Sequence, residues 1–166
     1  SEQRYAGFQG AYPNAEVLSE RPVGTVPWTL VAGLDADKDE YAFKNEAWCG
    51  VIAETSLDAH SATDFMVKAA AFGNDRLWGT LSCNVICDPR TARQHAAELD
   101  KLIADLRYGA IGVNIFSGVV FGLSSPPWGA FPGHTPEDIQ SGVGVVHNTY
   151  MLDFPQKTVL RAPFVI

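Results

Sequence analysis

The chain has 166 residues, 46% of them hydrophobic, which suffices for one domain with a buried core and argues against disorder. Twelve basic and nineteen acidic residues give a formal charge of −7 at pH 7, and Lys and Arg do not cluster, so nucleic-acid binding is not expected. No apolar stretch reaches the roughly 20 residues that span a bilayer. We therefore expect a cytoplasmic protein with no membrane partner.

The first part of the chain predicts one short helix and two strands. The helix lies near the start, the first strand lies around residues 28–32, and an acidic, solvated loop follows over residues 35–40. The short apolar run of residues 49–54 predicts a buried strand.

A helix is predicted after Ser61. Ser61 and Asp64 are suited to cap it, and Gly73-Asn74 is a typical end. Its apolar face is predicted from side chains at near-helical spacing, namely Phe65, Ala69 and Phe72, widened by Val67, Ala70 and Ala71.

Residues 80–115 predict a strand, one long helix and another strand. The first strand covers residues 80–87 and stops at Asp88-Pro89, the helix covers residues 91–108 and ends at Gly109, and the second strand covers residues 110–115. The apolar face of the long helix consists of Ala96, Leu99, Leu102, Ile103 and Leu106.

This alternation of strands and helices predicts an α/β fold with a mainly parallel open sheet and flanking helices. Residues 117–144 are rich in Gly, Pro and Ser and predict a long ordered loop without a regular element. The closing residues 145–166 predict either an edge strand or an arm that packs on another subunit.

A carboxylate and an aromatic ring stand two residues apart in Asn45-Glu46-Ala47-Trp48-Cys49-Gly50. At the mouth of an α/β sheet, a carboxylate can accept hydrogen bonds from ribose hydroxyls and a flat ring can pack on a nicotinamide. The alternative is that Glu46 is a surface carboxylate and Trp48 anchors the following strand in the core.

Other short motifs follow in a fixed order: Asn74 to Leu81, Arg107 to Asn114, Pro127-Trp128-Gly129-Ala130, and Ser141-Gly142-Val143-Gly144. Over residues 40–160 this series resembles the C-terminal part of an aldehyde dehydrogenase. The resemblance implies that residues 40–144 form part of the catalytic domain, that residues 145–166 form an oligomerisation tail, and that the protein is a homo-oligomer.

The resemblance also assigns roles to individual residues. Glu46 and Trp48 match the family's Glu-x-Phe-Gly-Pro motif, which binds the nicotinamide ribose of NAD or NADP, although Cys49 and Gly50 depart from it. The Pro127–Ala130 turn matches the family's Pro-Phe-Gly-Gly turn. Trp128, with Phe116 and Phe121, would therefore line the pocket for a small aldehyde, and Asn114 would support it; the alternatives are that Trp128 is a packing residue and that Asn114 only terminates a strand.

The family's nucleophilic cysteine should precede Glu46, and none of Cys49, Cys83 and Cys87 occupies that position. The four histidines lack ligand-like spacing, so no metal site is expected, and no glycine-rich dinucleotide motif is present. The resemblance thus implies a piece of a longer NAD(P)-dependent aldehyde dehydrogenase, which needs the upstream part of the same protein and is inactive alone. The alternatives are an acyl-CoA-forming relative, or an inactive stand-alone domain for assembly or small-molecule binding.

Overall fold

The computed structural model describes residues 2–165. It divides the chain into two compact units. Unit 1 is Ser1–Ala59 with Arg76–Trp78, and unit 2 is His60–Asp75 with Gly79–Ile166. No helix within residues 2–165 is long and apolar enough to cross a membrane.

Unit 1 is a small three-stranded sheet with two helices. Its elements are α1 (Glu2–Ala11), β1 (Glu16–Val17), β2 (Thr29–Leu34), α2 (Tyr41–Lys44) and β3 (Val51–Thr55). The central strand β2 is antiparallel to β1 and parallel to β3. The predicted early helix and the strand near residues 28–32 are confirmed as α1 and β2.

The core of unit 1 is aromatic. Tyr5, Phe8 and Phe43 are buried together with Val31 of β2, and the Tyr5 hydroxyl shares a hydrogen bond of 3.1 Å with the Thr29 hydroxyl. The strand predicted at residues 49–54 forms as β3, but its predicted burial is wrong, since its three central residues are exposed. β3 lies at the edge of its sheet, where side chains on both faces meet solvent.

Unit 2 contains the longer helices and a parallel sheet. Its elements are α3 (Ala62–Asp75), β4 (Ser82–Val85), α4 (Pro89–Gln94), α5 (Ala96–Asp105), β5 (Ala110–Val113), α6 (Val119–Leu123), β6 (Trp128–Gly129), β7 (Val145–Val146) and β8 (Thr158–Arg161). The sheet has the order β4-β5-β8 with all pairs parallel, and β6 pairs with β7 in a short antiparallel ribbon. The predicted mixed α/β architecture with a parallel sheet and flanking helices is confirmed.

The expectation that the strand of residues 49–54 continues this parallel sheet is wrong, because β3 pairs with β2 in a separate sheet of unit 1. The expected edge strand in the closing residues is confirmed as β8. The predicted absence of regular structure over residues 117–144 is wrong in part, because α6 and β6 form there.

Strand β5 lies at the centre of unit 2. All four of its residues are buried, and Ile111 is 0% exposed. The apolar cluster around it comes from α3, α5, the segments that follow β4 and α5, and β5 itself. Besides Ile111, its members are Met66, Ala70, Cys87, Leu99, Leu102, Ile103, Leu106, Tyr108 and Val113. The Tyr108 hydroxyl donates a 2.9 Å hydrogen bond to the Gly73 carbonyl oxygen, and burial raises the pKa of Tyr108 to about 12.

Helix α3 has the predicted bounds but not the predicted face. Ser61 Oγ accepts a hydrogen bond from the Asp64 N–H at 3.1 Å, as expected of a cap. The buried residues are Met66, Ala70 and Gly73, whereas Phe65 is exposed. Small residues at positions 70 and 73 allow close packing: a Cβ at Gly73 would lie 3.5 Å from Leu106 Cδ2.

The single helix predicted over residues 91–108 is wrong, because it is divided into α4 and α5 at His95. The His95 backbone has φ −126° and ψ 42°, which is not helical, and its ring nitrogen Nδ1 lies 3.4 Å from Thr63 Oγ1 of α3. Leu99, Leu102, Ile103 and Leu106 are buried as predicted, but Ala96 is exposed.

The Asp88 cap of helix α4 makes a contribution to stability that should depend on pH. Asp88 caps it by accepting hydrogen bonds from the N–H groups of Arg90 (2.9 Å) and Thr91 (3.1 Å). The Thr91 hydroxyl and these N–H groups lower the pKa of Asp88 below its ordinary value of 3.8. Asp88→Ala should therefore lower the denaturant midpoint above pH 3.8, and the difference from wild type should vanish as the pH falls through the lowered folded-state pKa.

The measurement is a series of denaturant titrations from pH 7 downwards. Asp153→Ala is the matched control, because Asp153 is exposed and makes no hydrogen bond or ion pair with the described residues. A midpoint difference for Asp88→Ala that persists unchanged to the lowest pH would contradict a role for the ionised carboxylate.

Candidate functional site

In unit 1 the candidate site is the loop that leads into β3. Glu46 is exposed, and its carboxylate makes no hydrogen bond or ion pair with other residues of the 2–165 range. Its backbone carbonyl oxygen accepts a 2.7 Å hydrogen bond from Arg4 Nη1, which ties the loop to α1. The carboxylate is therefore held at the surface without a protein partner.

Trp48 lies two residues further along the same loop. It is 65% exposed, and its backbone φ is +49°, a left-handed conformation that is unusual for a bulky residue. The alternative in which Trp48 anchors the core is wrong. An exposed aromatic ring on a strained backbone is a feature found more often at functional sites than elsewhere.

The backbone after Trp48 is fixed to β2. The Gly50 carbonyl oxygen accepts a 2.8 Å hydrogen bond from the Thr29 N–H, and a Cβ at position 50 would lie 3.3 Å from the Pro27 carbonyl oxygen. Gly50 stands where the Glu-x-Phe-Gly-Pro motif of the aldehyde dehydrogenases has a proline. The sequence therefore departs from that motif at the position where the loop passes close to the Pro27 backbone.

In unit 2 the carboxyl ends of β4 and β5 are joined by asparagine side chains. Asn114 follows β5 with φ +56°; its Oδ1 accepts from the Cys87 N–H at 2.8 Å and its Nδ2 donates to the Cys87 carbonyl oxygen at 3.0 Å. Asn84 of β4 accepts from the Ser117 N–H at 2.7 Å. Asn114 thus has a structural function, and its predicted support of a substrate pocket stays a prediction.

The sequence reasoning missed Asn84 and Ser117. Ser117 is 1% exposed, and its hydroxyl is buried without a hydrogen-bond partner among the described residues. The amide side chain of Asn84 in the short strand β4 was the available signal for Asn84. Ligands of open α/β sheets bind beyond the carboxyl ends of the strands. Asn84 and Ser117 lie near that end of the sheet.

Two of the predicted pocket aromatics come together. The rings of Phe121 and Trp128 meet edge to face at 5.8 Å between centroids, and His147 lies 5.3 Å from Phe121 on a backbone with φ +66°. Phe121 is 55% exposed. Phe116 makes no ring contact with them in residues 2–165 and is 70% exposed. His147, whose buried Nδ1 has no partner there, was not predicted to belong to this group.

Cys83 and Cys87 are poorly suited to nucleophilic catalysis. Burial raises the pKa of Cys83 and of Cys87, and the Asp88 carboxylate adds to the shift at Cys87. A raised pKa leaves little reactive thiolate near neutral pH. Within residues 2–165 no group of three or more His, Cys, Asp or Glu is arranged to hold a metal ion.

The predicted residues therefore fall into two sets. Glu46 and Trp48 belong to unit 1, while Asn114, Phe116, Phe121 and Trp128 belong to unit 2. Comparisons of the chain with protein-family models, with curated proteins and with solved structures found no match.

Proposed function

We propose that the chain is the C-terminal part of an NAD(P)-dependent aldehyde dehydrogenase. The observation that carries this proposal is the loop of Glu46 and Trp48, where an unpaired carboxylate and an exposed indole ring lie two residues apart. The carboxylate can accept hydrogen bonds from paired hydroxyls, and the ring offers a flat apolar face. Both are what a nicotinamide riboside requires.

The proposed fit to the cofactor rests on the unpaired Glu46 carboxylate and the exposed Trp48 ring. The Glu46 carboxylate makes no hydrogen bond or ion pair with the described residues, and the Glu46 carbonyl oxygen is bound to Arg4. Glu46 would hold the ribose hydroxyls and Trp48 would orient the nicotinamide. The cofactor, when bound, supplies the hydride acceptor.

In unit 2, the Trp128 and Phe121 side chains are proposed to form an apolar surface for the aldehyde. Their edge-to-face pair forms an apolar wall in unit 2 with Phe121 open to solvent, which suits the hydrocarbon part of a small aldehyde. All three cysteines follow Glu46, whereas the family's nucleophile precedes it, and Cys83 and Cys87 have raised pKa values. The nucleophilic thiolate is therefore proposed to come from residues upstream of this chain.

The test is Glu46→Gln in the natural full-length protein, with NAD(P)-linked oxidation of propanal as the assay. Glu46→Gln removes the negative charge and replaces one of the two carboxylate oxygens that would accept from the ribose hydroxyls. This change should lower kcat/KM for the cofactor about tenfold, equivalent to about 1.4 kcal/mol. Glu20→Gln, an exposed carboxylate elsewhere in unit 1, is the matched control and should leave the kinetics unchanged.

Unchanged kinetics for Glu46→Gln would remove Glu46 from the site. An intact mass of the natural protein near the chain's own 18.0 kDa, combined with no aldehyde oxidation, would overturn the dehydrogenase proposal and favour a binding or assembly domain. A mass several times larger, with a cysteine upstream, is the expected result.

A further inference from the structure

Unit 2 contains a small pocket between two loop segments. Its volume is about 190 Å³, and it is lined by residues 130–134, residues 142–145 and Pro155. All of these residues belong to unit 2. None of the residues assigned above to the cofactor or to the aldehyde lines the pocket, so it is a separate candidate site.

The pocket lies at the amino ends of the parallel strands. The Thr80 carbonyl oxygen, two residues before β4, accepts hydrogen bonds from the Gly109 N–H at 2.9 Å, one residue before β5, and from the N–H of the lining residue Phe131 at 3.1 Å. Asn84 and Ser117 lie near the opposite end of the sheet, where ligands of open α/β sheets bind. The pocket is therefore distinct from that carboxyl end.

Thr80 also holds the two walls of the pocket in place. Its N–H donates a 2.9 Å hydrogen bond to Ser141 Oγ, next to the wall that begins at Gly142. Its hydroxyl oxygen lies 2.8 Å from Nε2 of His134, in the other wall. A ligand would thus meet a preformed surface, so little affinity is lost in ordering the protein.

The lining is apolar apart from one side chain. Phe131, Val143 and Val145 supply aromatic and aliphatic surface, and among the described residues that line the pocket only His134 has a polar side chain and none is charged at neutral pH. The Lys157 ammonium lies 5.3 Å from the centre of the Phe131 ring, but three carbonyl oxygens at the end of α5 already bind it. An ion in the pocket would lose hydration without gaining a counter-ion, so the pocket selects an uncharged ligand.

His134 offers one polar contact to such a ligand. Its Nε2 is occupied by the Thr80 hydroxyl, whereas its Nδ1 makes no hydrogen bond with the described residues. A neutral imidazole has one donor and one acceptor nitrogen, so Nδ1 can bond to one hydroxyl group in either direction. The ring is held by Thr80, which fixes the position of that contact.

The volume sets the size of the ligand. An apolar cavity of about 150 Å³ is known to hold benzene, so a pocket of about 190 Å³ has room for one six-membered ring with a small substituent. We propose that this pocket binds a phenol, with the aromatic ring against Phe131, Val143 and Val145 and the hydroxyl bonded to His134 Nδ1. This inference is independent of the dehydrogenase proposal, because it uses none of that proposal's residues.

The test uses the natural protein that contains this chain and three small ligands followed by fluorine NMR. 4-Fluorophenol should bind saturably with a Kd of about 1 mM or below. Fluorobenzene lacks the hydroxyl and should bind about tenfold more weakly. 4-Fluorobenzoate is charged and should show no saturable binding, because no cation lines the pocket.

His134→Gln assigns the binding to this pocket. The Gln amide can keep the contact that Nε2 makes with Thr80, and it has no counterpart of Nδ1. Its affinity for 4-fluorophenol should fall about tenfold, to that of fluorobenzene, while fluorobenzene binding stays unchanged and shows that the variant is folded. His60→Gln, at an exposed position of unit 2 outside the pocket, is the matched control and should change neither.

Three results would overturn the proposal. The first is the absence of saturable 4-fluorophenol binding to the wild-type protein up to about 10 mM, well above the expected Kd. The second is equal affinity of the wild-type protein for 4-fluorophenol and for either of the other two ligands. The third is equal 4-fluorophenol binding by wild type and His134→Gln. The first two use the wild-type protein alone, so they hold whether or not the variant folds.

Discussion

Replacing Gly112 by alanine is expected to lower the free energy of unfolding by about 3 kcal/mol. Gly112 lies in β5, where every residue is buried. A Cβ there would overlap the Ile115 carbonyl oxygen and would lie 2.9 Å from the Ser117 nitrogen and 3.1 Å from Asn84 Oδ1. The two Ile115 and Ser117 atoms are backbone atoms of the turn after β5, so the clash can be relieved only by moving backbone.

The measurement is chemical unfolding followed by circular dichroism. Gly122→Ala is the matched control, since Gly122 lies in α6 with no atom within 4 Å of its added Cβ. That variant should be neutral or more stable, because alanine favours helix over glycine by up to about 1 kcal/mol. A similar stability for both variants would show that the turn after β5 adapts freely.

Replacing Lys157 by methionine is expected to lower the free energy of unfolding by about 2 kcal/mol. Its Nζ donates to the carbonyl oxygens of Ile103 (3.0 Å), Ala104 (2.7 Å) and Leu106, at the end of α5. These are groups that a helix leaves unpaired, and a cation there also complements the helix dipole. Lys157→Met keeps a long apolar stem and removes the donors.

Lys101→Met is the control for Lys157→Met. Lys101 lies on α5, the helix whose end Lys157 contacts, and its ammonium forms an exposed 2.7 Å ion pair with Asp105, which is worth at most about 1 kcal/mol. We expect denaturant titration to give a clearly smaller loss for Lys101→Met. Equal losses would mean that Lys157 contributes only as another surface charge.

Much of the secondary structure could be predicted from local sequence, because local patterns determine where helices and strands form. The cap at Ser61 gave the correct start of α3, whereas the strand predicted to stop at Asp88-Pro89 ends at Val85. The division at His95 could not be predicted, since no Gly or Pro marks it and it coincides with a contact to Thr63 on another helix.

The buried face of α3 shows a second limit. The sequence predicts that Phe65 lies in the core, because large aromatic side chains are usually buried. In the structure, Met66, Ala70 and Gly73 are the buried residues of α3. Close approach of α3 to the Leu106–Tyr108 segment favours small residues at the contact. Hydrophobicity alone does not reveal which helix face has a near neighbour.

Part of the candidate site could likewise be predicted from the sequence, and part of it could not. The exposure of Glu46 and Trp48 agrees with a surface loop before a strand, a position that the sequence indicates. The links from Asn114 to Cys87 and from Asn84 to Ser117 join residues 27 and 33 positions apart, and no local pattern predicts such pairs. The pairing of β3 with β2 instead of β4 is likewise not indicated by any local pattern in these strands.

The parallel pairing of β5 with β8 has a consequence for how the chain is made. Residues 110–113 form the middle strand, yet one of its two neighbours is residues 158–161. During synthesis, β5 leaves the ribosome with one row of its backbone groups unpaired and must wait for the later segment. Until then that edge is open to other nascent chains, so we expect assistance by chaperones to matter most in this interval.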